Sequence, residues 1–115
     1  MQAEEVRPSL LVGRHVVEVG RRQVWPFLTF ADAETAREVR VYVDAAIAVE
    51  PTPGGTLHQG DAEVVPALEG LLGLTVTVAR AGEEGLVLGF GDATLRVSNE
   101  PNAVTTGSPW WVGPT

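Results

Sequence analysis

His58, Asp61 and Glu63 are the nearest approach to a metal-binding set in this chain, which contains no cysteine. The spacing His-x-x-Asp-x-Glu matches no tetrahedral template and brings no second histidine within reach. A solvated loop with Asp61 as a helix N-cap accounts for all three. His15, the other histidine, stands beside Arg14 on a predicted strand and reads as a strand-surface residue. Neither histidine lies near a Gly-x-Ser-x-Gly elbow, and the glycines never form the phosphate-cradling pattern at a strand-to-helix junction. With no nucleophile, base or metal set assembled, we expect a non-catalytic protein that takes no cofactor and no metal.

Asp32 and Asp92 follow Phe30 and Phe90 in the same local pattern and form a formal carboxylate pair. Each stands where a hairpin needs a side chain that bonds its own backbone, so a turn role is expected for both. Arg14, Arg21, Arg22, Arg37 and Arg40 alternate with Glu18, Glu34 and Glu38, the pattern of a mixed, solvated face. Tryptophan is enriched at interaction hot spots, which makes Trp25, Trp110 and Trp111 the candidate ligand or partner surface, with core packing as the competing role.

These residues ride on an internal repeat. Leu11 to Asp32 laid over Leu71 to Asp92, with no gap, gives six identities in 22 positions: Leu11/Leu71, Gly13/Gly73, Val16/Val76, Leu28/Leu88, Phe30/Phe90 and Asp32/Asp92. Arg40-Val41 matches Arg96-Val97 if four residues are inserted in the first copy. In the second copy Leu74, Val76 and Val78 alternate with Thr75, Thr77 and Ala79 at the period of a half-buried strand. Gly82-Glu83-Glu84-Gly85 is a hairpin turn, and Leu86, Leu88 and Phe90, then Leu95 and Val97, repeat the alternation. In the first copy Val17 and Val19, then Val24 to Phe30, then Val39, Val41 and Val43 mark three strands. Pro26 has no N–H to donate, which predicts an edge strand or a bulge there. The expected fold is α+β and mainly antiparallel: two duplicated three-stranded meanders, over 11–44 and 71–100, joined by one helix. Ala45 to Glu50 extends as a further strand, 51–60 is a loop, and apolar spacing from Val64 to Leu72 predicts a helix over about 62–72. The tail 101–115 ends near Trp110-Trp111, adjacent residues that face opposite ways if that segment is extended.

The 115 residues, 44 % hydrophobic and 20 % charged, suit one core and one domain. The acidic start is not followed by an apolar stretch and no run approaches a membrane span, so we expect a cytoplasmic protein. Charge is divided unevenly: residues 1–40 carry six Arg against six acids, and 41–115 two Arg against nine acids, which is the whole net charge of −7. That excess disfavours nucleic acid and anionic membranes and favours a basic protein partner through long-range steering.

The order Leu-x-Gly-x-x-Val, Leu-x-Phe-x-Asp, linker helix, Leu-Leu-Gly-x-x-Val, Leu-x-Leu-x-Phe-x-Asp-x-x-Leu-x-Val resembles a family of small, uncharacterised actinobacterial proteins, over about residues 11 to 104. Family members follow the last strand with Glu-Ala-Trp, where this chain has Asn102-Ala103-Val104. The resemblance implies the β-rich fold and no activity; by analogy, some small acidic proteins of this kind are immunity partners of secreted toxins. The functional expectation is therefore a protein-interaction module, an immunity-type inhibitor of a basic partner among its forms. A small-molecule-binding domain and a structural homo-oligomer paired through strand edges are the alternatives.

Overall fold

Alternating valines and leucines make strands with one buried face, and two such faces can share a single core. The computed structural model describes residues 8–50, 55–102, 105 and 107–113. It is mainly antiparallel β, with eight strands among the described residues: β1 (His15–Arg22), β2 (Trp25–Ala31), β3 (Glu38–Val43), β4 (Ile47–Glu50), β5 (Val78–Gly82), β6 (Gly85–Gly89), β7 (Thr94–Val97) and β8 (Trp110–Gly113). A 3₁₀ turn at Pro8–Leu11 precedes β1, and one short helix, α1 (Val64–Glu69), separates β4 from β5.

The strands form two four-stranded sheets, ordered β1-β2-β3-β8 and β4-β7-β6-β5. Each sheet therefore holds three consecutive strands and borrows its fourth from the other half of the chain. Only Asp44 to Ala46 separates β3 from β4, so the chain leaves the first sheet and enters the second within three residues. Leu28, Phe30, Val41 and Val43 of the first sheet and Ile47, Leu86, Leu88, Leu95 and Val97 of the second lie in one buried cluster. Val64 and Leu68 of α1 join it. No helix among the described residues is long and apolar enough to cross a membrane.

The sheets meet along a short antiparallel bridge at His15 and Thr75. Gly13 N–H donates to Val76 O at 2.9 Å and Gly73 N–H to Val16 O at 2.8 Å, while Val16 N–H donates to Leu74 O at 3.0 Å and Val76 N–H to Arg14 O at 2.9 Å. Each of these bonds maps onto its partner when residue numbers are shifted by 60. The hairpins obey the same shift: Val19 faces Leu28 and Arg22 faces Trp25, as Ala79 faces Leu88 and Gly82 faces Gly85. Gly13 and Gly73 hold equivalent backbone conformations, φ 91° and 84°, that other residues rarely adopt.

Four expectations change. Val41 faces Leu28 and Leu95 faces Leu88, so the third strands correspond through an offset of 54, and the alignment of Arg40-Val41 with Arg96-Val97 is out by two residues. A shift of two preserves which face each side chain takes, so apolar alternation does not detect it. The strand β2 carrying Pro26 is an inner strand, and the one register irregularity of its pairing with β1 lies between Val16 and Glu18. Proline is accommodated because pairing with β3 begins only at Phe27. The helix is shorter than 62–72: Pro66 is tolerated in its first turn, where the N–H has no intrahelical acceptor, but beyond Glu69 the chain continues in turns to Gly73. Asp61 does not cap it; Glu63 holds the N-cap position without a side-chain bond, and the Asp61 carboxylate accepts the backbone N–H of His58 at 2.9 Å.

Candidate functional site: the outer face of the first sheet

Strand parity decides what the outer face displays. With Leu28, Phe30, Val41 and Val43 in the core, Trp25, Phe27 and Thr29 of β2 and Arg40 and Tyr42 of β3 point away from it. Trp110 and Val112 pack against the core, which turns Trp111 and Gly113 of β8 outward. The registers align Gly20, Phe27, Tyr42 and Trp111 in one row and Glu18, Thr29, Arg40 and Gly113 in the next.

The first row is an aromatic ladder. Phe27 and Tyr42 are tilted with centroids 6.0 Å apart, and Tyr42 stacks on Trp111 at 5.3 Å with planes 17° apart. Trp25 crosses to meet Trp111 in a T-shaped contact at 5.3 Å and 84°. These are preferred aromatic geometries. Phe27 and Tyr42 are buried beneath their neighbours, while both indoles remain partly exposed. Glycine at position 20 makes the packing possible, since a Cβ there would lie 2.9 Å from Phe27 Cζ. The buried Trp25 Nε1 atom has no hydrogen-bond acceptor among the described residues.

The second row is polar and internally satisfied. Arg40 Nη2 pairs with Glu18 Oε1 at 3.0 Å, Arg40 Nε donates to Thr29 Oγ1 at 3.0 Å, and the guanidinium carbon sits 4.0 Å from the Phe27 centroid. Burial opposes the Arg40 charge, but the hydrogen bond to Tyr42 and the Glu18 carboxylate outweigh it and hold the group more firmly protonated than usual. The arginine is 12 % exposed and the glutamate 54 %, so the carboxylate forms the solvent edge of this row.

The equivalent face of the second sheet differs. Following the registers, Trp25, Phe27, Tyr42 and Trp111 correspond to Gly85, Val87, Arg96 and Ala48. The same strand arrangement thus forms with small, aliphatic and cationic residues in place of four aromatic ones. At the β5–β6 hairpin an open concavity of about 350 Å³ is lined by Arg80 to Gly85 and Val87.

A separate polar cluster ties the loops. Gln59 and Asp44 are each 2 % exposed. Gln59 Nε2 donates to Asp44 Oδ1 at 3.2 Å and to Asn102 Oδ1 at 3.0 Å, and Asn102 Nδ2 returns a bond to Gln59 Oε1 at 2.8 Å. Thr105 Oγ1 donates to Asp44 O at 2.7 Å, and Arg21 Nη1 to Gln59 O at 2.8 Å. The cluster anchors the segment before α1, the β3–β4 turn and the tail to one another.

Of the sequence candidates, Trp25 and Trp111 meet on the outer face, and Trp110 lies on the opposite side of β8. Asp32 makes a turn, accepting the N–H groups of Glu34 at 2.7 Å and Thr35 at 3.2 Å, while Asp92 makes no such bond among the described residues. His15 is half-buried at the bridge and His58 is exposed. Sequence reasoning missed Phe27, Tyr42, Arg40 and Glu18 as members of the site. The spacing Trp25-x-Phe27-x-Thr29 and Arg40-x-Tyr42 carried the signal, because period-two residues opposite an apolar face must share the other one. No protein-family model, curated protein or solved structure matches this chain.

Proposed function

We propose that this chain is a non-catalytic protein-interaction module that engages a basic protein through the outer face of the first sheet. The observation that carries the reading is the inequality of the two outer faces. The second sheet forms with Gly85, Val87, Arg96 and Ala48, so four aromatic residues are not a requirement of the architecture. Partly exposed tryptophans in such a cluster suit a contact with another macromolecule. The constant shift of 60 in the bridge and hairpin pairings supports a duplicated origin for the two meanders, with one copy free to diverge toward binding. Inhibition of a basic secreted toxin is one form this activity takes, in keeping with the net charge of −7.

The test is capture from a host extract at low salt by the intact protein and by a folded Trp25→Leu/Trp111→Leu variant. A basic protein retained by the first and released by the second is the expected result. Equal retention by both moves the site elsewhere. The concavity beside Glu83 and Glu84 favours a second reading, a small-molecule site, which an Arg80→Ala variant with unchanged ligand binding removes.

A further inference from the structure

We infer that the ligand of the Trp25–Tyr42–Trp111 cluster is an arginine side chain of the basic partner, a step that rests on the binding role proposed for this face. The molecule already contains the interaction in miniature. Arg40 lays its guanidinium 4.0 Å from the Phe27 centroid while donating to the Glu18 carboxylate at 3.0 Å, the Thr29 hydroxyl at 3.0 Å and the Tyr42 hydroxyl at 3.4 Å. Phe27 is thereby occupied.

Tyr42 is buried between Trp111 and Arg40, which leaves the two partly exposed indoles of the cluster to offer a similar surface. Trp111 lies nearly parallel to Tyr42, at 17°, and Trp25 stands across Trp111 at 84°. Perpendicular π faces form a corner in which a planar cation meets negative ring density from more than one side. Indole is the strongest of the aromatic partners for a cation, and both indoles are partly exposed. Arginine fits better than lysine because its flat, weakly hydrated head stacks on aromatic rings. The net charge of −7 draws such a partner in, and the aromatic corner holds one of its side chains.

The experiment is calorimetric titration of the intact protein with a hexa-arginine peptide, a hexa-lysine peptide and a neutral glycine-serine peptide of equal length. The arginine peptide should bind at least about tenfold more tightly than lysine, and Trp111→Leu or Trp25→Leu should weaken it by about tenfold or more. Glu83→Gln/Glu84→Gln, which removes two charges from the other sheet, should change it by less than about threefold. In amide spectra of the wild type the indole N–H signals of Trp25 and Trp111 should shift on titration and that of Trp110 should not, a readout that survives even if a leucine variant unfolds. Equal affinity for arginine and lysine, shifts confined to the β5–β6 hairpin, or no binding of the arginine peptide each overturn the assignment. Capture of a partner that depends on Trp25 and Trp111 but ignores free arginine peptide would retain the binding face and reject arginine alone.

Discussion

Trp111 stacks on Tyr42, 5.3 Å between ring centres, while its neighbour Trp110 packs against the core from the same four-residue strand. The edge strand β8 is therefore held from both faces, beyond its backbone pairing with β3. Trp111→Ala should cost about 2–3 kcal/mol and Trp110→Ala about 3–5 kcal/mol, because only the second removes packing against the shared core. Urea unfolding followed by circular dichroism measures both. Equal losses would mean that the outer cluster packs as tightly as the core.

Gly85 starts β6 at φ 113°, and a Cβ there would run into Val97 O and the backbone of Ser98 and Asn99. Neither strain nor space can be relieved by turning a side chain. Gly85→Ala should lose about 3 kcal/mol or more, whereas Gly82→Ala, with nothing within 4 Å of its Cβ, should lose less than about 1 kcal/mol. Thermal melts of the two variants compare them directly, and similar melting temperatures would contradict the packing argument.

Asp32 accepts the Glu34 and Thr35 amides, and these bonds hold its carboxyl below the ordinary aspartate value of 3.8, with Arg14 and Arg37 adding to the effect. A depressed folded-state value stabilises above the unfolded value, and that contribution disappears as pH falls through the folded one. Stability should thus fall on acidification below about pH 4, more steeply in wild type than in Asp32→Asn, which keeps an oxygen acceptor but does not titrate. Urea midpoints between pH 6 and pH 2 test this. Identical pH profiles would remove Asp32 from the account.

Gln59 is buried and bonds Asp44, Asn102 and Thr105. Replacing its amide with a carboxylate, Gln59→Glu, removes the donors and sets a second acid against Asp44. A loss of about 3 kcal/mol or more is expected at neutral pH, partly recovered at low pH as the pair takes up a proton. Gln59→Met, similar in size and uncharged, should lose about 1–3 kcal/mol with no such recovery. Denaturant titrations at two pH values separate the cases.

The strands and both hairpins are legible in the sequence because period-two alternation and turn glycines act over a few residues. Leu86-x-Leu88-x-Phe90 and Gly82-Glu83-Glu84-Gly85 specify their own local geometry. The helix is less legible: apolar spacing from Val64 to Leu72 continues past Glu69, where the backbone changes to turns. The last strand also escapes, since four residues reached through a polar, glycine- and proline-rich tail pair with β3 only because β3 has an open edge.

By itself the sequence determined that alternating apolar residues must be buried on one side of each strand, that Leu11 to Asp32 and Leu71 to Asp92 share six identities, and that its acid excess lies after residue 40. Only the tertiary structure decided that each sheet takes its fourth strand from the other half, and hence that β8 lies beside β3 and Trp111 reaches Tyr42 and Trp25. Residues 25, 42 and 111 share no local signal. Their meeting follows from which edge was left to pair, a long-range hydrogen-bonding condition that no short window of sequence contains.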